Sequence, residues 1–312
     1  LTAVSHMTAS WADLASYRRL AAANRLTLRV AVYLPLEDWR AVADTVARSG
    51  RGDDRLWIGG VKGYVDGSAG SRTAYFFEPF TDSAGYAGLM QHSEQDLRAW
   101  IGGADSAGLQ VAVHAIGDRA NALLLAIFDS VARAHGARDR RFRTEHAQHL
   151  RRAAIPRFGA LRVVPSMQPY HAIDDGRWLD RRIGAARSRT TYAFRSLLDA
   201  DAPLALGSDW TVAPLDPMLG VYAAVTRRTL DGRHPGGWVP EEKITVAEAL
   251  RGYTYGNAWA TFMERKWGTI APGRSADLVV LERDPFTVPA ESLGTVAVRY
   301  TLLEGRLVYR SP

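Results

Sequence analysis

Four side chains of metal-binding type end separate apolar runs in this 312-residue chain. They are Lys62 in GGVKGYVDGS, His114 in LQVAVHAIGD, His146 in RFRTEHAQ and Asp209 in APLALGSDW. Each run has strand length, and small or polar residues of loop type follow it. In an α/β barrel, catalytic groups sit at the C-terminal ends of different strands, so distant residues meet at one mouth. A lone histidine after a strand says little. A Lys, His, His, Asp series in four such places points to a divalent-metal hydrolytic site, with the four side chains converging at one end of a barrel.

The residue types suit that chemistry unequally. His114 and His146 lie among polar residues, and a neutral imidazole becomes a good ligand once an acceptor fixes its tautomer. The alternative for each is a hydrogen-bonded structural histidine. An unpaired carboxylate at the position of Asp209 is costly without a cation or donor, and capping the next turn is its alternative role. Lys62 lies between Val61 and Gly63 on a buried strand, where a free ammonium is expensive. Carboxylation by CO2 would make it an anionic donor; a plain lysine paired with Asp66, or a Schiff-base amine, are the other readings.

A long loop from Asp66 through Arg72 to Asp82 reads as a lid or substrate wall. Arg72 either holds a substrate carbonyl or carboxylate, or ties the loop to Asp66. His171, after the sixth strand, reads as a substrate contact near the metal, with a solvent-facing loop histidine as its alternative. His149 reads as a supporting residue or helix start, His6 as off register, and His92, His135 and His234 as surface residues. Trp178 and Trp210 fall in mouth loops, where they would stack on an apolar substrate.

Around these residues, seven strand-like runs alternate with helix-like ones. They are LTAVSHM, LTLRVAVYL, WIGGVKGYV, LQVAVHA, RFRTEHAQ, RVVPSMQP and APLALGSD. Helices are expected from Ser10 to Asn24, from near Ser93, over Asp118–His135, and near 191–200, 216–229 and 245–262. Such alternation predicts a parallel sheet. Eight strands close the usual barrel, and the shortfall falls at the start, because the chain opens on a strand. Residues 1–267 therefore read as the barrel. Residues 268–312 read as short strands with turns at Pro272-Gly273 and Glu304-Gly305 and no helices between. They are expected to form half of a small β-sandwich.

Composition removes several classes. The chain has no cysteine, which excludes disulfides and thiolate ligands. The net charge of +6 comes from scattered arginines; its densest patch, RDRRFR at 138–143, reads as a solvated face rather than a nucleic-acid surface. No apolar stretch approaches a membrane span. A cytoplasmic protein is favoured, although the chain opens on Leu1, so the place of a signal peptide is not shown.

KGYVDGSAGSRTA, VHAIGDRA, RTEHAQ, LGSDW and GTIAPGRSADLVVLERDP together resemble the amidohydrolase superfamily, in the branch that includes N-substituted formamide deformylases. The likeness covers nearly the whole chain, with the motifs in the family's order and spacing. It implies a metal-containing (β/α)8 TIM-type barrel, a small β-sandwich built from both chain ends, and hydrolysis of an amide- or formamide-like carbon–nitrogen bond. It also implies that one or two divalent ions, zinc first, are held by Lys62, His114, His146 and Asp209, with Lys62 carboxylated and bridging. Asp209 would take a proton from the attacking water and return it to the leaving nitrogen. The expected partner is a small amide-type molecule, with no nucleic acid or membrane, and a homo-oligomer is compatible. Two departures stand out. The superfamily's first barrel strand ends in His-x-His, which occurs nowhere in these residues, and the second strand reads Val4-Ser5-His6-Met7 where the family tends to have Val-His-Asp-Met. They lead to the expectation of an N-terminally truncated member lacking the first strand, with a catalytically inactive fragment or remnant as the alternative function.

Overall fold

A computed structural model describes all residues, 1–312, as an α/β fold. The strands are β1 (Ala3–His6), β2 (Arg29–Pro35), β3 (Leu56–Tyr64), β4 (Gln110–Ala115), β5 (Arg143–His146), β6 (Val164–Met167) and β7 (Ala205–Leu206). They form one parallel sheet in sequence order, with β1 and β7 as its two edges. Helices α1 (Trp11–Ala22), α2 (Trp39–Ser49), α3 (Glu94–Ser106), α4 (Asp118–Ala134) and α5 (Ile155–Ala160) connect successive strands. Short helices α6 (Pro169–Asp175), α7 (Leu179–Ile183), α8 (Ala185–Ser188) and α9 (Phe194–Asp199) fill the β6–β7 connection, and α10 (Pro217–Thr226) follows β7. No helix is long and apolar enough to cross a membrane.

Local chemistry explains the helix starts. Ser10 accepts from the Asp13 amide while Asp13 accepts from the Ser10 amide, so both halves of a capping box are present. Ser93 caps α3 in the same position. The helix expected over 245–262 is instead three pieces: α11 (Val246–Arg251), a π-helical stretch (Gly252–Gly256) and α12 (Asn257–Ala260). The cause is close approach to β7. A Cβ on Gly252 would lie 2.7 Å from the Leu206 side chain, and one on Gly256 would lie 2.3 Å from the Leu204 carbonyl.

The sheet buries both faces, as parallel sheets do. Its outer face joins the helices in the main apolar cluster. Its inner face curls around residues 258–267: Ala31, Tyr33, Trp57 and Ala112 pack on Ala258 and Trp267, while Val164 and Ala205 pack on Ala260. Above this plug lies a polar layer. Arg143 Nε donates to Glu145 at 2.8 Å, its Nη2 donates to Ser166 at 3.0 Å, and Tyr33 donates to Gln110 at 2.6 Å.

Strands β8 (Leu278–Leu281), β9 (Val298–Leu303) and β10 (Arg306–Arg310) form a separate antiparallel sheet. A 3₁₀ segment, Ala290–Thr295, stands between β8 and β9, where the sequence suggested no helix. Its Leu293 is fully buried, and that apolar anchor explains the coiling. Buried Arg29 joins the two sheets by donating to Asp277 at 2.6 Å.

Neighbouring glycines in α3 offer a test of this packing. Nothing lies within 4 Å of a Cβ built on Gly102, whereas one on Gly103 would lie 2.3 Å from the Trp39 ring. Gly102→Ala should stabilise by up to about 1 kcal/mol through helix propensity. Gly103→Ala should destabilise by about 1–3 kcal/mol through overpacking. Urea unfolding midpoints shifting in the same direction for both would contradict the α2–α3 contact.

Candidate metal centre

The C-terminal ends of β3, β4, β5 and β7 bring the titratable residues to one mouth. In-register pairing aligns Tyr64 with His114, His114 with Glu145, and Glu145 with Ser166, so these side chains share the inner face. His146 pairs with Ala115, which belongs to the outer apolar cluster, and strict alternation would send it outward. A left-handed backbone reverses that. His146 has φ 77° and Ala147 has φ 45°, a costly conformation for side-chain-bearing residues and one that gathers at functional sites. As a result the His146 ring lies against His114, with centroids 4.6 Å apart. Asp209 also sits at positive φ, 58°.

Ligand atoms of His146, His171 and Asp209 all lie within 4.8 Å of one another. His171, which the sequence suggests as a substrate contact near the metal or else a solvent-facing loop histidine, sits on α6, with Nε2 3.8 Å from an Asp209 oxygen. That Nε2 is buried and has no hydrogen-bond partner. Hydrogen bonds fix the other rings. Gln168 Nε2 donates to the Ser166 carbonyl, so its Oε1 faces His146 Nδ1 at 2.8 Å and accepts from it. The His146 Nε2 lone pair is therefore free. His114 Nε2 donates to the Gly67 carbonyl at 3.0 Å, which leaves Nδ1 as its lone-pair nitrogen.

The electrostatics favour neutral imidazoles. Burial pulls His114 down to about 3 and His171 to about 4, with nearby Lys62 adding to the shift of His114. His146 is held well below the usual histidine range by burial first, and then by His114, Lys62 and His171 around it. Lys62 is only 4% exposed, and burial lowers it to about 8 against the opposing pull of Glu145 and Asp209. It forms no ion pair; its Nζ lies 3.6 Å from the Tyr64 ring centroid. Asp209, open to solvent at the rim, is raised to about 6 by partial burial, with Lys62 opposing.

Asp66 does not pair with Lys62. It is fully buried and accepts from the amides of Tyr75, Ile116 and Gly117 at 2.8, 2.9 and 2.8 Å. Arg72 does not reach Asp66 either: it pairs with Asp82 at 3.0 Å, and Arg182 shares that carboxylate. With Phe76 and Phe80 buried and Asp118 accepting from the Phe77 amide, the 66–82 loop is a fastened wall. His6 meets Tyr17, and His149 is buried against Thr191 at 2.9 Å. Trp210, beside Asp209, is 65% exposed.

Sequence reasoning passed over Gln168 and assigned Asp66 only as a partner for Lys62 or Arg72. For Gln168, the available signal is an amide two residues beyond a buried serine at a strand end. For Asp66, it is a carboxylate in a buried Val-Asp-Gly turn with no basic residue adjacent.

A family model described as amidohydrolase family matches residues 1–309. The chain is 37% identical to Protein LONG AFTER FAR-RED 3 of Arabidopsis thaliana over 303 residues, covering 96% of this chain and 52% of that protein. It is 28% identical to N-substituted formamide deformylase of Arthrobacter pascens over 225 residues, covering 72% and 41% respectively. The crystal structure of an uncharacterized metal-dependent hydrolase from Pyrococcus horikoshii superposes with a TM-score of 0.82 at 31% identity, covering 93% of this chain and 58% of that one. The chain thus spans about half the length of the curated relatives it matches.

Two outcomes test the site's framework. Asp66→Asn turns an amide NH2 toward backbone N–H donors and should cost about 1–3 kcal/mol of stability; an unchanged urea midpoint would contradict the three-amide clamp. Asp175, on α6, is raised to about 7 by burial and accepts from Tyr192 at 2.5 Å. Because the unfolded carboxyl titrates near ~3.9, the folded state binds the extra proton, and this stabilisation is lost as pH rises through 7. Asp175→Asn should therefore gain stability relative to wild type between about pH 4 and pH 7 and hold that gain above. Parallel stability curves for the two proteins would contradict this.

Proposed function

We propose, from the premise that the chain belongs to the amidohydrolase family, that it is a metal-dependent hydrolase of a carbon–nitrogen bond other than a peptide bond, of amide or formamide type. The observation that carries this reading is the orphaned, buried His171 Nε2 facing Asp209 beside the free Nε2 of His146. A buried imidazole nitrogen with no partner is costly unless something occupies the space it faces.

The residues fit a divalent cation. His146, His171 and Asp209 supply two neutral nitrogens and one carboxylate oxygen, a donor set suited to zinc. Gln168 and Gly67 supply the acceptors that fix imidazole tautomers. A cation bound there supplies Lewis-acid polarisation of a carbonyl and acidifies water. Lys62, lacking a carboxylate partner, is suited to react as a free amine with CO2, releasing a proton and giving an anionic oxygen donor beside His114. Asp209, at the rim and partly solvated, is placed to take a proton from water and hand it to the departing nitrogen. His114 supports His146 through ring contact and offers its own Nδ1. We assign Arg72, engaged by Asp82, to fastening the wall rather than to substrate.

Metal content and turnover test this separately. The purified chain should bind about one zinc ion, since one three-ligand set is present. Gln168→Leu should weaken zinc binding by about 10–100-fold without unfolding the protein. Asp209→Asn should abolish hydrolysis of N-acyl or formamide substrates while leaving the circular dichroism spectrum unchanged. Zinc titrations indifferent to Gln168→Leu and His171→Ala would overturn the metal assignment, whereas zinc binding without hydrolysis would overturn only the reaction.

A further inference from the structure

We propose that the end of the sheet opposite the mouth carries a second site, for a phosphate or phosphoryl group. The loops entering β5 and β6 bound an open cavity of about 570 Å³ with Arg138, Arg140, Arg141, Phe142, Arg162 and Val163 among its lining residues. This is the RDRRFR patch, and it is not a uniformly solvated face. Arg141 is buried and Arg140 is half-buried, with a side chain 7% exposed.

The arginines divide into satisfied and unsatisfied groups. Arg138 and Arg140 both bind Asp105, which also faces His135 Nδ1 at 2.8 Å. Arg141 donates to Asp139, to Glu264 and to the Trp259 carbonyl. Arg162 has no ion pair or side-chain hydrogen bond, and its guanidinium carbon stands 5.4 Å from the Trp259 ring centroid. The Nη2 of Arg140 is buried with no acceptor. Four arginines against the three carboxylates of Asp105, Asp139 and Glu264 leave one positive charge, with His135 counted as neutral.

Buried donors without acceptors are rare in folded proteins, and guanidinium groups match the geometry of phosphate oxygens. An oxyanion in this cavity would accept from Arg140 and Arg162 and neutralise the excess charge. The Phe142 and Val163 side of the lining suits an apolar body carrying that group. The mouth residues lie beyond the other ends of β5 and β6, so occupancy here does not use the candidate metal centre.

Isothermal titration of the full chain with inorganic phosphate and with phenyl phosphate, at constant ionic strength in chloride, tests this. Saturable binding of phosphate is expected, and tighter binding of phenyl phosphate would favour a phosphorylated small molecule over the free ion; phenol should not bind. Arg162→Ala removes an exposed side chain with no ion pair or side-chain hydrogen bond and only a distant approach to the Trp259 ring. It should leave the melting temperature unchanged and weaken phosphate binding roughly tenfold or more. Arg140→Gln should weaken phosphate binding likewise and lower the melting temperature, because it removes one ion-pair partner of buried Asp105; if it fails to fold, Arg162→Ala alone decides. Absence of saturable binding, or binding unchanged by Arg162→Ala, would overturn the proposal.

Discussion

The mouth depends on one carboxylate that does no chemistry. Asp66 accepts three backbone amides, from Tyr75 on the long loop and from Ile116 and Gly117 just beyond β4. Burial pushes this carboxyl up to about 7, and the three amides oppose that shift; they also join two segments remote in sequence. The joint holds Gly67 where its carbonyl accepts from His114. It also fits only glycine at position 117, because a Cβ there would lie 2.0 Å from the Tyr75 carbonyl. The His114 tautomer, the wall of the mouth and the start of α4 therefore share one anchor.

Much of the frame was legible because strand alternation and capping chemistry are local. All seven strands, the Ser10 capping box and the Ser93 start follow from nearest-neighbour patterns. What escaped is tertiary. Period-two alternation points His146 to the wrong face, and only the left-handed turn at His146 and Ala147 brings it to His114. His171 belongs to a short helix opened by Pro169, and its neighbour Asp209 is 38 positions away in sequence. The π-helical break at Gly252–Gly256 answers to β7, which no local signal reports.

Burial at the mouth acts on acids and bases in the same direction, toward neutrality. Three imidazoles and one lysine are shifted down while Asp209 is shifted up. Metal ligands must be deprotonated before they bind, so low-dielectric surroundings prepare these histidines without requiring a cation to displace protons. The same surroundings pull the Lys62 ammonium down toward neutrality. A more solvated cleft would leave the imidazoles closer to their ordinary pKa and in competition with protons.

The polar layer beneath the mouth explains why this arrangement does not collapse. Arg143 and Glu145 are both buried and pair at 2.8 Å, with Tyr33, Gln110 and Ser166 taking up further donors and acceptors. A buried pair of this kind is seldom a net stabiliser against an apolar core, but breaking one partner leaves an uncompensated charge. Its placement matters more than its energy. Below it, Trp57, Trp267 and Ala258 form an apolar plug; above it, Lys62 has no ion pair and His171 Nε2 has no partner. The layer is satisfied by its own pairs and by the Arg141 and Ala260 carbonyls, which accept from Gln110, so the unmatched groups lie above it, at the mouth.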